Sequence, residues 1–204
     1  RCDRSAGVNI GHCCRIIVGC DFVNDLLTVS KLQSGTQSIN MTKISLTQAV
    51  IETVKRYEKL LEHKGYTVTF DYDCEVYINA DETRLLQVVY NLVNNAINYT
   101  GEDKTVRILQ EVNDTIVKIS VIDSGEGISE ENLPLIWDRY YKIDKVHRRA
   151  MIGTGLGLSI VKQILEAHST TYGVESKLGE GSTFWFELPI VKEYDENKND
   201  NKES

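Results

Sequence analysis

Hydrophobic and polar residues follow one another with a regular period over most of the chain, and this period predicts the secondary structure. Apolar residues three and four positions apart predict a short helix at 130–137 and longer helices at 21–34, 47–63, 81–99 and 156–168. Apolar and polar residues in alternation predict strands at 41–46, 67–72, 75–79, 105–112, 115–123, 172–176 and 182–188. Because helices and strands succeed one another irregularly, we expect an α+β fold, a two-layer α/β sandwich in which helices back one mixed sheet.

The same pattern divides the chain into four segments. Residues 1–20 have no clean periodicity and are expected to be poorly ordered, while 191–204 consist mostly of Asp, Glu, Asn and Lys, which is typical of a disordered tail. The apolar stripe within 21–35 fits either a surface helix of the main domain or one helix of a dimeric bundle. Residues 39–190 carry the remaining elements and form the expected main domain.

Composition excludes several classes of protein. With 41% hydrophobic and 26% charged residues, the 204-residue chain is typical of a globular protein. Its net charge of −7 disfavours nucleic-acid binding. No apolar run approaches the roughly 18–20 residues that span a bilayer, and no signal peptide is visible, so we expect a cytoplasmic location. Since the chain begins with Arg1 and not with Met, any membrane anchor would belong to a missing upstream segment.

Cysteine usage favours a reducing compartment. The chain has five cysteines, four of them within 2–20, and an odd number without a secretory signal indicates free thiols. A zinc site is disfavoured because the C-x-x-C spacing is absent.

Three asparagines lie on one face of the predicted helix 81–99, opposite its apolar stripe. Asn91, Asn95 and Asn98 occupy positions where an ordinary solvent-exposed helix would carry Lys or Glu, which are better helix formers. An amide oxygen coordinates Mg²⁺ without repelling a triphosphate, and Mg²⁺ needs few protein ligands. The stripe therefore indicates either a Mg²⁺–nucleotide site or a polar surface.

The strand 115–123 ends in a carboxylate followed by two glycines. Asp123 shares the phase of Val117, Ile119 and Val121, so its side chain is expected on the core side, where it needs hydrogen-bond donors. The exocyclic amine of adenine is such a donor, and Gly125 and Gly127 allow the backbone to approach a flat ring. The alternative is an ordinary turn that begins with Asp.

A second glycine cluster, Gly153-Thr154-Gly155-Leu156-Gly157-Leu158, precedes the predicted helix 156–168. Backbone N–H groups before a helix bind phosphate, aided by the helix dipole. The spacing does not fit a dinucleotide fingerprint, and the Gly-Lys-Ser/Thr of a P-loop is absent. The aperiodic segment before these glycines contains Lys142, Lys145, His147, Arg148 and Arg149, which fits either a lid that closes over a nucleotide or a solvated loop.

Together these motifs resemble the catalytic, ATP-binding domain of the sensor histidine kinases of two-component systems, in the superfamily shared with gyrase, mismatch-repair and heat-shock chaperone ATPases. The resemblance spans 26–190 and implies a Bergerat-type ATP-binding fold preceded by part of a dimerisation helix at 26–35. The family's boxes correspond to 81–100 (asparagine box), 123–128 (first glycine box), 136–142 (phenylalanine-rich box), 153–158 (second glycine box) and 179–184 (closing box).

The resemblance also implies roles for individual residues. Asn91 and Asn95 would hold Mg²⁺, and Asp123 would bind the adenine amine of ATP. Lys142 would contact phosphate, and Tyr99 and Ile128 would line the base pocket. The full set implied to bind ATP is Asn91, Asn95, Tyr99, Asp123, Gly125, Gly127, Ile128, Tyr141, Lys142, Gly153, Thr154, Gly155, Leu156, Gly157, Leu158 and Thr183. The implied partners are a response regulator receiver domain and a second copy, bound through the N-terminal helix of the full-length protein.

The chain departs from the family at three places. Asn98 stands where the family usually has a phosphate-binding Lys, and His168-Ser169-Thr170 replaces His-Gly-Gly. The box around the phosphoacceptor histidine is absent, since His12 is followed by Cys13-Cys14-Arg15. We therefore expect the acceptor upstream of Arg1 and no catalytic nucleophile in this chain.

Two hypotheses about function follow. The first is a kinase domain that presents Mg-ATP to a histidine absent from this chain, for onward transfer to a response regulator; positioning and charge neutralisation suffice for such chemistry. The second is a non-catalytic nucleotide-binding regulatory module, favoured by Asn98 and the missing phosphoacceptor box. A protein-serine kinase or an ATP-driven clamp is disfavoured by the apolar helix at 22–32 and the aromatic box at 137–141.

Overall fold

Two sheets and three helices make up the part of the protein that the structure, a computed structural model, describes: residues 39–61, 64–138, 141 and 155–191, with the backbone only of 58–61. In chain order the elements are β1 (Thr42–Ser45), α1 (Leu46–Leu61), β2 (Thr67–Asp71), β3 (Tyr77–Ala80), α2 (Glu82–Tyr99), β4 (Thr105–Val112), β5 (Ile116–Asp123), α3 (Gly157–Ala167), β6 (Thr171–Lys177) and β7 (Gly181–Pro189).

The larger sheet has the strand order β2-β4-β5-β7-β6. Its pairs are antiparallel except β2 with β4, so the sheet is mixed. β1 and β3 form a separate antiparallel pair, which one bridge from Ile78 to Ile190 connects to the chain after β7. The predicted α+β sandwich with a mixed sheet is confirmed.

One face of the large sheet packs against the three helices, and this contact is the hydrophobic core. On β5, Val117, Ile119 and Val121 are at most 1% exposed, and on β7 Phe184 and Phe186 are as deeply buried. Burying each such side chain contributes roughly 1.5–3 kcal/mol to folding. The helices contribute one apolar stripe each, which includes Leu46 and Val50 of α1, Leu85, Val88, Val89, Leu92 and Ala96 of α2, and Ile160, Val161, Ile164 and Leu165 of α3. The period of the sequence thus identifies the core face of each element.

The predicted bounds of seven strands and three helices agree with the structure within two residues. The short helix predicted at 130–137 is wrong, because the segment forms a run of turns, such as Asn132 N–H to Ser129 O and Leu135 N–H to Asn132 O, both 2.9 Å. Pro134 lies in its middle and has no N–H to donate to a helical carbonyl. The predicted helix at 21–34 and the expected disorder at both ends lie outside the described residues. None of the three described helices has both the length and the apolar composition needed to cross a bilayer.

The N-terminus of α2 and the C-terminus of α3 are joined by one hydrogen bond. Asp81 caps α2 as predicted, since its Oδ1 accepts from Arg84 N–H at 3.1 Å, and its Oδ2 accepts from Asn40 N–H at 3.2 Å. The N–H of Asp81 donates to His168 Nε2 at 3.1 Å, while His168 Nδ1 lies 2.8 Å from Ile164 O. The carbonyl can only accept, so the neutral Nδ1–H tautomer fits both contacts. This junction fixes the two helices side by side in opposite directions.

Ser169, in the place where the family usually has glycine, closes α3 in a left-handed conformation. Its φ is 54°, its N–H donates to Glu166 O at 2.9 Å, and the N–H of Thr170 donates to Leu165 O at 3.1 Å. These two bonds form a Schellman motif, whose left-handed position favours glycine. A side chain there costs roughly 1–2 kcal/mol.

Ser169→Gly is therefore expected to stabilise the protein by about 0.5–1 kcal/mol, because part of the relieved strain is offset by the greater freedom of glycine in the unfolded chain. Urea denaturation monitored by circular dichroism measures the change. Ser169→Ala is the matched control and should give no gain, since alanine keeps the Cβ atom. A lower urea midpoint for the glycine variant than for the wild type would contradict the strain at this turn.

Candidate functional site

Most of the predicted site residues that the structure describes lie where the end of β5, the C-terminal half of α2 and the N-terminus of α3 meet. Because α2 and α3 run in opposite directions, the middle of α2 lies next to the start of α3. A Cβ atom on Gly157 would lie 3.6 Å from Asn91 Oδ1. The fold thus brings Asn91 of the asparagine stripe next to Gly157 of the second glycine cluster.

Asp123 is the buried acid of this region. Its side chain is on the core side as predicted, the residue is 4% exposed, and its Oδ1 accepts from Gly125 N–H at 2.9 Å. Burial raises the pKa of Asp123, and backbone hydrogen bonds from Gly125 and Ser182 oppose this effect only in part. An ionised carboxylate has room for about four hydrogen bonds, so Asp123 retains acceptor capacity for a donor from a ligand.

The loop after Asp123 fits its surroundings only with glycine. A Cβ atom on Gly125 would lie 2.1 Å from Tyr99 O at the end of α2. Gly127 has a φ of 73°, and a Cβ atom there would lie 2.1 Å from Lys177 O. The first glycine box therefore lies in backbone contact with α2 on one side and with the turn between β6 and β7 on the other.

A hydrogen-bonded cluster of short polar side chains supports the same loop from outside. Ser124 Oγ donates to Asp103 Oδ1 and accepts from Gly101 N–H at 3.3 Å, while Thr100 Oγ1 donates to Thr105 O at 2.7 Å. The bond from Ser124 lowers the pKa of Asp103, because it stabilises the ionised carboxylate. The cluster connects the segment that follows α2 to the residue that follows Asp123.

The polar face of α2 is half-buried and carries an unsatisfied donor. Asn91 Nδ2 is buried and has no hydrogen-bond partner among the described residues. It lies at the N-terminus of α3, where the first backbone N–H groups have no acceptor within the helix and the helix dipole favours anions. A phosphate oxygen would satisfy this amide, so the residues fit a nucleotide phosphate. The whole stripe lies opposite the apolar face as predicted, is half-buried, and consists of Arg84, Gln87, Asn91, Asn95 and Asn98.

The donor set also fits Mg²⁺ held mainly by phosphate and water. No group of three or more His, Cys, Asp or Glu residues that could hold a metal occurs in the described ranges. Asn91 and Asn95 offer neutral amide oxygens, and Mg²⁺ is usually bound by one or two protein ligands together with substrate phosphates.

Four of the other predicted residues lie near these groups in different environments. Tyr99 at the end of α2 is 47% exposed, and partial burial raises the pKa of its hydroxyl. Ile128 and Leu158 are half-buried against the core, whereas Leu156 is only 1% exposed and belongs to the core itself. The core position of Leu156 indicates a packing role for its side chain.

Tyr141 and Thr183 are two further predicted site residues. The hydroxyl of Tyr141 donates to Asn132 Oδ1 at 2.6 Å, within the segment that precedes the basic loop. Thr183 pairs with Ile122, so its side chain points to the face of the sheet opposite Asp123. The structure therefore does not bring the Thr183 side chain together with Asp123. Lys142, Gly153 and Thr154 lie outside the described residues.

Ser182 and Ser176 lie in line with Asp123 across the sheet, and the sequence patterns do not identify them individually. Ser182 pairs directly with Asp123 across β5 and β7, and Ser176 pairs with Ser182 across β7 and β6. A signal was present, because Ser182 has the same phase as the buried Phe184 and Phe186. Which strand lies next to β5 could not be derived from that phase.

Comparisons with known proteins agree with this geometry. Residues 80–192 match the family model described as histidine kinase-, DNA gyrase B- and HSP90-like ATPase. Sensor histidine kinase WalK of Bacillus subtilis is 32% identical over 176 residues, which are 85% of this chain and 29% of that protein. Sensor protein SrrB of Staphylococcus aureus is 34% identical over 168 residues, 82% of this chain and 29% of that protein. The chain thus spans 29% of the length of these curated relatives.

Solved structures with the same fold include two of the histidine kinase ThkA and one of ShkA. The catalytic domain of ThkA has 33% identity and a TM-score of 0.65, covering 74% of this chain and 95% of that one. Full-length ShkA in complex with AMPPNP has 26% identity and a TM-score of 0.73, covering 85% and 36%. ThkA in complex with the response regulator protein TrrA has 26% identity and a TM-score of 0.68, covering 93% and 53%.

The family model covers more than half of the chain and includes α2, Asp123 and both glycine clusters. The resemblance inferred from the motifs is therefore confirmed. The chain belongs to the histidine kinase-, DNA gyrase B- and HSP90-like ATPase family, as an ATPase domain of the kind found in sensor histidine kinases.

Proposed function

We propose that this domain binds Mg-ATP and presents the γ-phosphate to a histidine of a sensor histidine kinase, for onward transfer to a response regulator receiver domain. The observation that carries the proposal is the buried Asp123 carboxylate. It retains acceptor capacity and is built into the same site as the unsatisfied Asn91 amide and the N-terminus of α3. A purine nucleoside triphosphate such as ATP requires a hydrogen-bond acceptor for its base and hydrogen-bond donors for its phosphates.

Each group has a distinct part in the proposed reaction. Asp123 accepts from the adenine amine and orients the base, with Tyr99 and Ile128 beside it. The N-terminus of α3 and the Asn91 amide bind phosphate oxygens through N–H groups. Mg²⁺, held by Asn95 and Asn91, would neutralise phosphate charge. Phosphoryl transfer depends mainly on positioning and charge stabilisation, so a site without its own nucleophile is adequate.

The assembly around the domain is part of the same proposal. ShkA was solved with AMPPNP and ThkA with a response regulator protein, and both resemble this chain over most of its length. We infer a cytoplasmic location, a receiver domain as partner and a homodimer formed through the N-terminal helix, which lies outside the described residues.

Transfer to a separate histidine tests the kinase function. The chain is mixed with a fragment that carries the partner's phosphoacceptor histidine, and γ-labelled ATP is added. Acid-labile label on the fragment is the expected result, because phosphohistidine hydrolyses in acid. ATP binding without any labelled fragment would overturn the kinase function and favour the non-catalytic regulatory module, for which Asn98 in the place of a Lys is the specific observation.

The proposed metal ligand can be tested by itself. Asn95→Ala is expected to lower the affinity for ATP roughly tenfold in the presence of Mg²⁺, a typical loss when a metal site is damaged. Without Mg²⁺, in EDTA, its affinity should equal that of the wild type. Titration calorimetry under both conditions makes the comparison. Asn94→Ala, on the neighbouring position of α2 and off the stripe, is the matched control; an equal loss in both variants would argue against a metal role for Asn95.

A further inference from the structure

Asp123, Ser182 and Ser176 form a row across three strands at one end of the sheet. The register pairs Asp123 of β5 with Ser182 of β7, and Ser182 with Ser176 of β6. Directly paired residues project to the same face of a sheet, which here is the face covered by the helices. Asp123 is 4% and Ser182 is 7% exposed, so the first two members of the row are buried.

The hydroxyl of Ser176 is fully used by its neighbours. Ser176 Oγ lies 2.8 Å from Ile128 N, 2.7 Å from Gly181 O and 2.9 Å from Ser182 Oγ. A hydroxyl has one hydrogen and two lone pairs. The carbonyl of Gly181 can only accept and therefore takes the hydrogen of Ser176, whereas Ile128 N–H can only donate. The remaining lone pair of Ser176 must accept from Ser182, so Ser182 is the donor of that pair.

This arrangement holds the first glycine box against the turn between β6 and β7. Ile128 directly follows Gly127, whose backbone is already in close contact with Lys177 O. The N–H of Gly179 donates to Glu126 O at 2.7 Å, which adds a second bond between the loop and the turn. The hydroxyl of Ser176 completes this attachment from within the sheet.

The row also keeps the hydroxyl hydrogen of Ser182 away from the Asp123 carboxylate. Since Ser182 donates its hydrogen to Ser176, it does not offer that hydrogen to the Asp123 carboxylate beside it. Asp123 then accepts only from backbone N–H groups of the protein in the described region, and its other lone pairs remain for a ligand donor.

We propose that Ser176 is a positioning residue for base recognition, acting through Ile128 and Ser182 without touching the nucleotide. The inference rests on the proposed function, because the donor that Asp123 receives is the amine of adenine. The phosphate-binding groups belong to α2 and α3 and lie outside this row. Loss of the Ser176 hydroxyl should therefore weaken recognition of the base and leave phosphate binding unchanged.

The test measures affinities of Ser176→Ala for ATP, GTP and inorganic triphosphate by calorimetry. GTP has a carbonyl where adenine has its amine, so an ordered Asp123 carboxylate disfavours it. We expect the affinity for ATP to fall about five- to tenfold, because Ile128 N–H, Gly181 O and the Ser182 hydroxyl all lose a partner, while the affinities for GTP and triphosphate stay within error. Ser176→Thr keeps the hydroxyl and should restore most of the loss. Ser120→Ala, a buried hydroxyl on the opposite face of β5, is the control and should bind all three like the wild type.

The outcomes separate this inference from the proposed function. An unchanged preference for ATP over GTP in Ser176→Ala, or an equal loss for ATP and triphosphate, would overturn the positioning role while a large loss in Asp123→Asn still supported the base contact. If Asp123→Asn binds ATP like the wild type, both fail together. Should Ser176→Ala not fold, Ser176→Cys, which is near in size and weaker in hydrogen bonding, replaces it with the same expected direction.

Discussion

Replacing Asp123 with asparagine is expected to lower the affinity for ATP by about 100-fold, because a hydrogen bond to a charged, buried acceptor is exchanged for a clash between two NH₂ groups or a weaker neutral bond. The Oδ1 atom of asparagine can still accept from Gly125 N–H, which lies 2.9 Å from the present carboxylate. The local backbone should therefore remain in place, and the loss should be confined to the ligand.

Stability should change in the opposite direction to binding. Burial raises the pKa of Asp123, so the carboxyl group of this residue binds its proton more tightly in the folded protein than in the unfolded chain. A raised folded pKa means that the stabilisation by protonation is complete at low pH and is lost as the pH rises through the folded pKa. At neutral pH the ionised carboxylate thus opposes folding. Asparagine carries no charge, so the variant should be at least as stable as the wild type and less dependent on pH.

The raised pKa of Asp123 also predicts that ATP binding depends on pH. As the pH falls through the folded pKa of Asp123, the carboxylate takes up a proton and becomes a poorer acceptor, so the affinity for ATP should fall at a higher pH than an exposed aspartate would cause. Calorimetric titrations across the acidic range, with the asparagine variant alongside, measure this step. Asp114→Asn, in the exposed turn between β4 and β5, is the control. Loss of binding together with a lower melting temperature in Asp123→Asn would indicate a structural defect.

Much of the fold could be predicted because each element carries its own period. The alternation that ends at Asp123 places this carboxylate correctly, and the asparagine stripe was identified by its angle from Leu85, Val88 and Leu92. Local signals also identify ends of helices, as the cap by Asp81 demonstrates. These features depend only on residues near one another in sequence.

The features of the fold and of the site that could not be predicted depend on contacts between segments that are distant in sequence. Ser182 and Ser176 lie 59 and 53 residues after Asp123, and only the strand order β5-β7-β6 places them beside it. The family's motif predicts Thr183 as the site residue. The register of β5 and β7 instead pairs Ser182 with Asp123 and places Thr183 on the opposite face of the sheet. The segment 130–137 has a helical apolar pattern that a single proline overrides.

Gly181 is the residue whose substitution should destabilise the fold most among the glycines of this site. It has a φ of 90°, and a Cβ atom there would lie 2.0 Å from Asp123 O. The left-handed conformation costs a side chain roughly 1–2 kcal/mol, and forced overpacking costs about 1–3 kcal/mol more. Gly181→Ala should therefore lose about 2–5 kcal/mol, a large part of the 5–15 kcal/mol that holds a typical domain folded.

Gly179 offers a control that separates these two effects. It also has a positive φ, 81°, but a Cβ atom there would have no neighbour within 4 Å. Gly179→Ala should consequently lose only the conformational part, about 1–2 kcal/mol. Urea denaturation of both variants measures the difference. Because the clash at Gly181 falls on the carbonyl of Asp123 itself, a variant that still folds should also lose affinity for ATP, whereas Gly179→Ala should bind ATP normally. Equal destabilisation by the two substitutions would mean that β7 can move away from β5 without penalty, and would contradict the close packing on which the position of Asp123 depends.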